Sequence, residues 1–216
     1  MINFFLLSVL TVLATVSSFG QLNSKIEIPT FSDKYSNLVK QLENGKTDID
    51  YREFRESFIE SEQFKIYSLQ KTRFDSLQKA MYLQIDKKDY QAVIQVTKKM
   101  LSINYTSLLA HKILRQTYKI VDDTINATKY KTIQFGLLNS IVKSGDGKTC
   151  STAWHVIDVS EEYFILQILG ADLLKQSIDN KEGICDKMEV KTEEGDKKTY
   201  YFETSKVFEG YKKLGL

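Results

Sequence analysis

The sequence predicts an α+β chain, with a layer of packed helices over 21–143 followed by a small antiparallel sheet of about four strands and a short closing helix over 144–216. Three observations predict it. From Tyr35 to Ile141 apolar residues recur at three- and four-residue spacing, which places them on one face of a helix. At Ser144-Gly145-Asp146-Gly147 that period stops. Beyond it lie short apolar runs separated by turn residues, the pattern of strands. Helices gathered in one part of a chain and strands in the other define this class. The two regions read as one compact unit.

Residues 1–20 come first and stand apart. Phe4 to Val16 is almost wholly apolar, and no charged side chain occurs before Lys25. That run is short for a membrane span, which takes about 20 apolar residues. It suits the core of a signal peptide, and Ser18 and Gly20 fit the small-residue positions before a cut at Gln21. The expectation is export, with a mature chain that lies in the periplasm or is secreted and carries no integral membrane segment. No Cys stands at the cut to be lipidated.

Six helical stripes follow the lone Pro29. They run through Tyr35, Leu38, Val39 and Leu42; Tyr51, Phe54 and Phe58, with Asp48 as N-cap; Phe74, Leu77, Met81 and Ile85; Tyr90, Val93, Ile94, Thr97 and Leu101; Leu114, Tyr118, Val121 and Ile125; and Tyr130, Ile133, Leu137 and Ile141. Each is one-sided, so the helices must pack on one another. Within them Asp89-Tyr90, Ile94, Met100-Leu101, Asn104-Tyr105 and Ala110 resemble the tetratricopeptide repeat, with Tyr105 in place of its turn proline. A solenoid needs at least three such units, so this one reads as a single repeat-like hairpin. Strands are expected at 153–159, 163–169, 184–190 and 199–202, with turns at 158–162 and 193–196, and a helix at 206–214.

Composition narrows function. A net charge of +2 with interspersed Lys and Glu makes no basic stripe, so no nucleic-acid partner is expected. Twelve Tyr and twelve Phe supply area for a core without staples. The 2 cysteines, Cys150 and Cys185, are candidates for a disulfide in an oxidising compartment, and equally for two unrelated residues.

Apparent motifs mostly dissolve. Gly145-Asp146-Gly147-Lys148-Thr149 ends like a P-loop, yet Val142 replaces the required Gly and a helix precedes it where a strand should. Asn44 to Phe54 only loosely follows a calcium-binding loop, since Lys46 and Thr47 fall at ligand and turn positions. Two Cys and two His without zinc-ligand spacing give no metal site, and no cofactor is expected. His111 reads as a packing residue and His155 as a strand residue, and a Cys150–His155 acyl-transfer pair has the wrong arrangement. The remaining candidates are Asp146, His155, Glu162 and Asp186, to which Glu161 could add a facing carboxylate, although Glu161-Glu162 reads more simply as a solvated turn.

The run Ile141 to Lys148, then Thr152 to Ile157, then Glu161-Glu162-Tyr163 resembles the family called domain of unknown function 4919, and Cys185-Asp186 and Tyr201-Phe202 fit its later strands. The resemblance spans nearly the whole chain after Gln21. It implies a bacterial host among the Bacteroidota and an envelope location, and it brings no catalytic residues. The leading functional expectation is therefore a non-enzymatic module that binds a peptide or protein. The alternatives are a hydrolase of an envelope polymer, built around Asp146, His155, Glu162 and Asp186, and a structural envelope protein without ligand.

Overall fold

The computed structural model describes residues 25–180 and 183–215, so the expected signal peptide lies outside the described residues. Helices come first: α1 (Lys34–Glu43), α2 (Tyr51–Ile59), α3 (Glu62–Leu69), α4 (Lys71–Asp86), α5 (Tyr90–Ile103), α6 (Leu108–Ile120) and α7 (Thr124–Val142). Most begin at an Asp or Ser whose side chain accepts a backbone N–H of the first turn: Asp33, Asp50, Ser61, Asp89, Ser107 and Asp123. The cap of α2 is Asp50, not Asp48. Helix α3 interrupts what the spacing left as a connection. The stripe that joined Val121 to Ile125 is cut by Asp122, which turns at φ 58°, and Ile125 starts α7 exposed to solvent.

The second part holds β1 (Trp154–His155), α8 (Val159–Ile168), β2 (Ala171–Asp179), β3 (Cys185–Thr192), β4 (Lys197–Glu203) and α9 (Ser205–Lys213). The class is α+β. Three details depart from expectation. The sheet is mixed, in the order β1-β4-β3-β2, because β1 pairs parallel with β4. No hairpin joins those two strands, so no turn dictates an antiparallel pairing. The run 163–169 lies in a helix: a short continuous apolar run fits a buried helix as well as a strand. Here the Asp158 side chain caps the helix by accepting the Ser160 N–H, and Gly170 ends it at φ 58°. The first strand shrinks to two residues, and the edge strand β2, where Leu173, Leu174 and Ile178 do not alternate regularly with polar residues, lies outside the expected strands.

Register decides which side chains face the core. Asp186, Met188, Val190 and Thr192 alternate inward on β3, opposite Phe202 and Tyr200 of β4 and Ile178 and Gln176 of β2. One apolar cluster runs from Tyr35 and Phe54 through Leu137 and Phe164 to Val190 and Phe202. The helices and the sheet therefore share a core.

Candidate functional site

The loop that carries most of the family resemblance is a knitted connection. The N–H groups of Asp146 and Gly147 both donate to the Thr152 carbonyl, and Trp154 Nε1 donates to the Gly145 carbonyl at 3.1 Å. Gly147 sits at φ 66° with the Trp154 ring 2.6 Å from where a Cβ would stand, and Gly145 has the Thr152 carbonyl 2.2 Å from its own. Both positions need glycine for close approach. The amides that a phosphate would require are spent inside the loop. Asp146 stays at the surface, accepting from Thr152 Oγ1 at 2.6 Å and from the Lys148 N–H at 3.0 Å, which holds its carboxyl below the usual range.

Arg55 is the hub between the two parts of the chain. It falls inside the apolar stripe of α2, and its guanidinium is almost fully buried. Nε and Nη2 grip Glu161 of α8 bidentately, at 2.9 and 2.6 Å, across 106 residues of sequence. Nη2 also donates to the His155 carbonyl at 2.9 Å, and Nη1 to Ser140 Oγ at 3.3 Å. Glu161 accepts the Ile157 N–H as well. Burial pushes its carboxyl up, and the Arg55 guanidinium pulls against that. Beside it Tyr67 donates to Asp158 at 2.7 Å, and burial with this neighbouring carboxylate drives the phenol well above its usual range.

Two of the four sequence candidates interact. Glu162 on α8 and Asp186 on β3 are both buried, and burial, then the Asp186 charge, push the Glu162 carboxyl up to about 9. Both Glu161 and Glu162 are buried, which corrects their reading as a solvated turn: they occupy the first turn of α8, facing inward. His155 pairs with Glu203, which pairs with Cys185, so its side chain and that of Asp186 leave opposite faces of the sheet. With Asp146 at the surface as well, the four do not form one site. Cys150 and Cys185 are joined by a disulfide, with Cα atoms 5.9 Å apart. His111 is fully buried in α6, where its Nε2 meets the Tyr105 carbonyl at 2.7 Å. Among the described residues no group of three or more His, Cys, Asp or Glu could hold a metal ion, and no helix is long and apolar enough to cross a membrane.

A cleft of about 400 Å³ opens between α4, the α5–α6 turn and the front of α8. Its floor is apolar, formed by the buried Phe74, Leu108 and Phe164, and Tyr82 and Tyr163 are half-exposed beside it. Gln78, Asn104, Thr106, Ser107, Leu109, Ser160 and Gln167 also line it, together with the Lys71–Asp75 ion pair of α4. Asp158 and Glu161 border it, with their carboxylates committed to Tyr67 and Arg55. No sequence pattern marked this cleft, because its lining comes from segments far apart in the chain. Arg55 had a signal that went unread, a charge set among Phe54 and Phe58 on the buried side of a helix.

An α+β fold with a shared core and one aromatic-edged cleft thus defines the molecule. The chain belongs to the family described as Domain of unknown function (DUF4919), which it matches over residues 21–213. No curated protein and no solved structure matches it.

Proposed function

We propose that this protein is an exported envelope protein that binds a peptide segment of a partner, without catalysing a reaction on it. The observation that carries the reading is the lining of the α4–α6–α8 cleft. Its apolar floor suits one or two apolar side chains, and tyrosines supply rigid contact area at small entropic cost. The Gln78 amide can both donate to and accept from the main chain of an extended peptide, whereas the oxygens of Asn104 and Gln167 are taken by Thr106 and Lys112. The volume lies within the range of ligand clefts. The apolar leader expected at residues 1–20 supports the envelope location.

The test is selection from a phage-displayed random peptide library on the chain beginning at Gln21. Selected peptides should carry an aromatic or large aliphatic anchor, and Tyr82→Ala or Tyr163→Ala should weaken them about tenfold, the loss of roughly 1.4 kcal/mol. Selection of nothing above background, or peptides indifferent to both substitutions, sinks the reading. Mass spectrometry of the protein from fractionated cells should find its amino terminus at about Gln21; an intact Met1 would remove the envelope.

A further inference from the structure

The first turn of α8 crowds carboxyl groups that the cleft reading does not use. Asp158, Glu161 and Glu162 follow one another at the start of α8, and the buried Asp186 of β3 acts on Glu162 by its charge. Three have partners. Asp158 takes the Tyr67 hydroxyl and the Ser160 N–H, Glu161 takes Arg55, and Asp186 Oδ2 takes Gln176 Nε2 of β2 at 2.8 Å. Glu162 is wholly buried, and both its oxygens lack a hydrogen-bond donor among the described residues.

Among the described residues no cation is paired with it. Asp186 faces it from β3 and Gln176 stands beside that carboxylate on β2. Lys112 of α6 meets α8 at Gln167 Oε1 and over the Phe164 ring. Arg55 of α2 is taken by Glu161, and Tyr67 of α3 donates to Asp158, whose charge also raises the Tyr211 phenol of α9. Two carboxylates buried side by side without a cation cannot both ionise cheaply, so they hold one proton between them. That proton turns the orphan oxygens of Glu162 into a donor and an acceptor, and the donor fits Asp186.

We infer that Glu162 and Asp186 form a single-proton carboxyl latch that clamps α8 to the sheet and sets the α8 wall of the cleft, holding while the shared proton is present and releasing as it leaves. Geometry supports the coupling: Tyr163 and Phe164, one and two residues past Glu162, line the cleft, and the Tyr163 hydroxyl also donates to Gln176, the residue that binds Asp186. The consequence for binding rests on the cleft reading; the latch itself does not.

The test is hydrogen–deuterium exchange on the chain beginning at Gln21 across about pH 6 to 9.5, with α5 amides as internal reference. Protection of α8 relative to α5 should fall with rising pH, by up to about tenfold per pH unit. Glu162→Gln, which can donate to Asp186 at every pH, should flatten that slope. Asp186→Asn serves if the Gln variant fails to fold: with the neighbouring charge gone, the fall should move to lower pH. A wild-type ratio that does not change with pH, or a fall unaltered in the substituted protein, overturns the latch. No ligand enters the measurement, so its failure leaves the cleft reading standing, and a barren peptide selection leaves the latch standing.

Discussion

In the helical layer Glu43 is met by the Lys129 ammonium at 2.8 Å and by the hydroxyls of Tyr105 and Tyr130, whereas under α8 four carboxyl groups are met by one guanidinium. Both clusters are polar groups set in an aromatic interior, and both close long loops. Glu43 ties α1 to α7 and to the α5–α6 turn; Arg55 ties α2 to α7, β1 and α8. They differ in balance. The first pairs one anion with one cation and neutral hydroxyls. The second carries more acid than it can compensate, and it makes up the deficit with a proton. Burial first, and then the balance of charge, decides which part of this fold should answer to pH.

The largest expected effect breaks the second cluster outright. Glu161→Gln, or Arg55→Met alone, leaves an uncompensated buried group and should cost about 3–5 kcal/mol in urea unfolding. Replacing both with apolar residues of similar volume should recover most of that, because desolvation then disappears with the charges. A loss below about 1 kcal/mol from either single change would mean that water reaches the pair.

Next comes the acid excess. Glu162 has a raised carboxyl in the fold, so its contribution is fully present below about 4.5 and is lost as pH rises toward about 9. His111 behaves oppositely: burial lowers it to about 4, so stability is lost as pH falls from its ordinary 6.5 toward that value. Between about 4.5 and 6.5 the His111 slope opposes that of Glu162. Above about 6.5 the Glu162 slope is no longer opposed by His111 and runs at up to about 1.4 kcal/mol per pH unit, and the raised Glu161 carboxyl adds to it in the same direction. Thermal melting should therefore show a plateau on the acid side and a decline above neutrality. Glu162→Gln should lessen the decline and raise stability at pH 8 by about 1–3 kcal/mol. A wild-type curve rising from pH 7 to 9 would contradict this account.

The smallest effect belongs to the balanced cluster. Glu43→Gln keeps an acceptor for both phenols and should cost about 1–2 kcal/mol, with no added pH dependence between 6 and 9. A pH slope created by that change would erase the contrast between the clusters.

Much of the fold was legible in the residues. Asp and Ser ahead of one-sided stripes mark most helix starts, and the break at Ser144 marks the change to strands. The failures share a cause. Tyr163 to Leu169 is apolar on every side, so it carries no period, and the deciding information was local, in the Asp158 cap and Gly170 beyond it. Strand β2 lies at the sheet edge, where Lys175, Gln176 and Ser177 can face solvent and leave little alternation to read. As for the site, Glu162 and Asp186 stood out as acids but for other chemistry, and their pairing depends on a helix that the residue pattern did not announce. Arg55 and Tyr67 act through partners 106 and 91 residues away, a distance over which spacing says nothing.

The parallel pairing of β1 with β4 has a temporal corollary. Trp154 finds its neighbour only at Phe202, and Arg55 finds its carboxylate only at Glu161. A ribosome therefore delivers the amino-terminal helices with an unanswered guanidinium in their interior and a strand that must wait for the far end of the polypeptide. Helical segments can form as they emerge, but consolidation is postponed until Glu161 and Phe202 have been made, and chains stopped short of Ser144 should persist as loosened species prone to proteolysis.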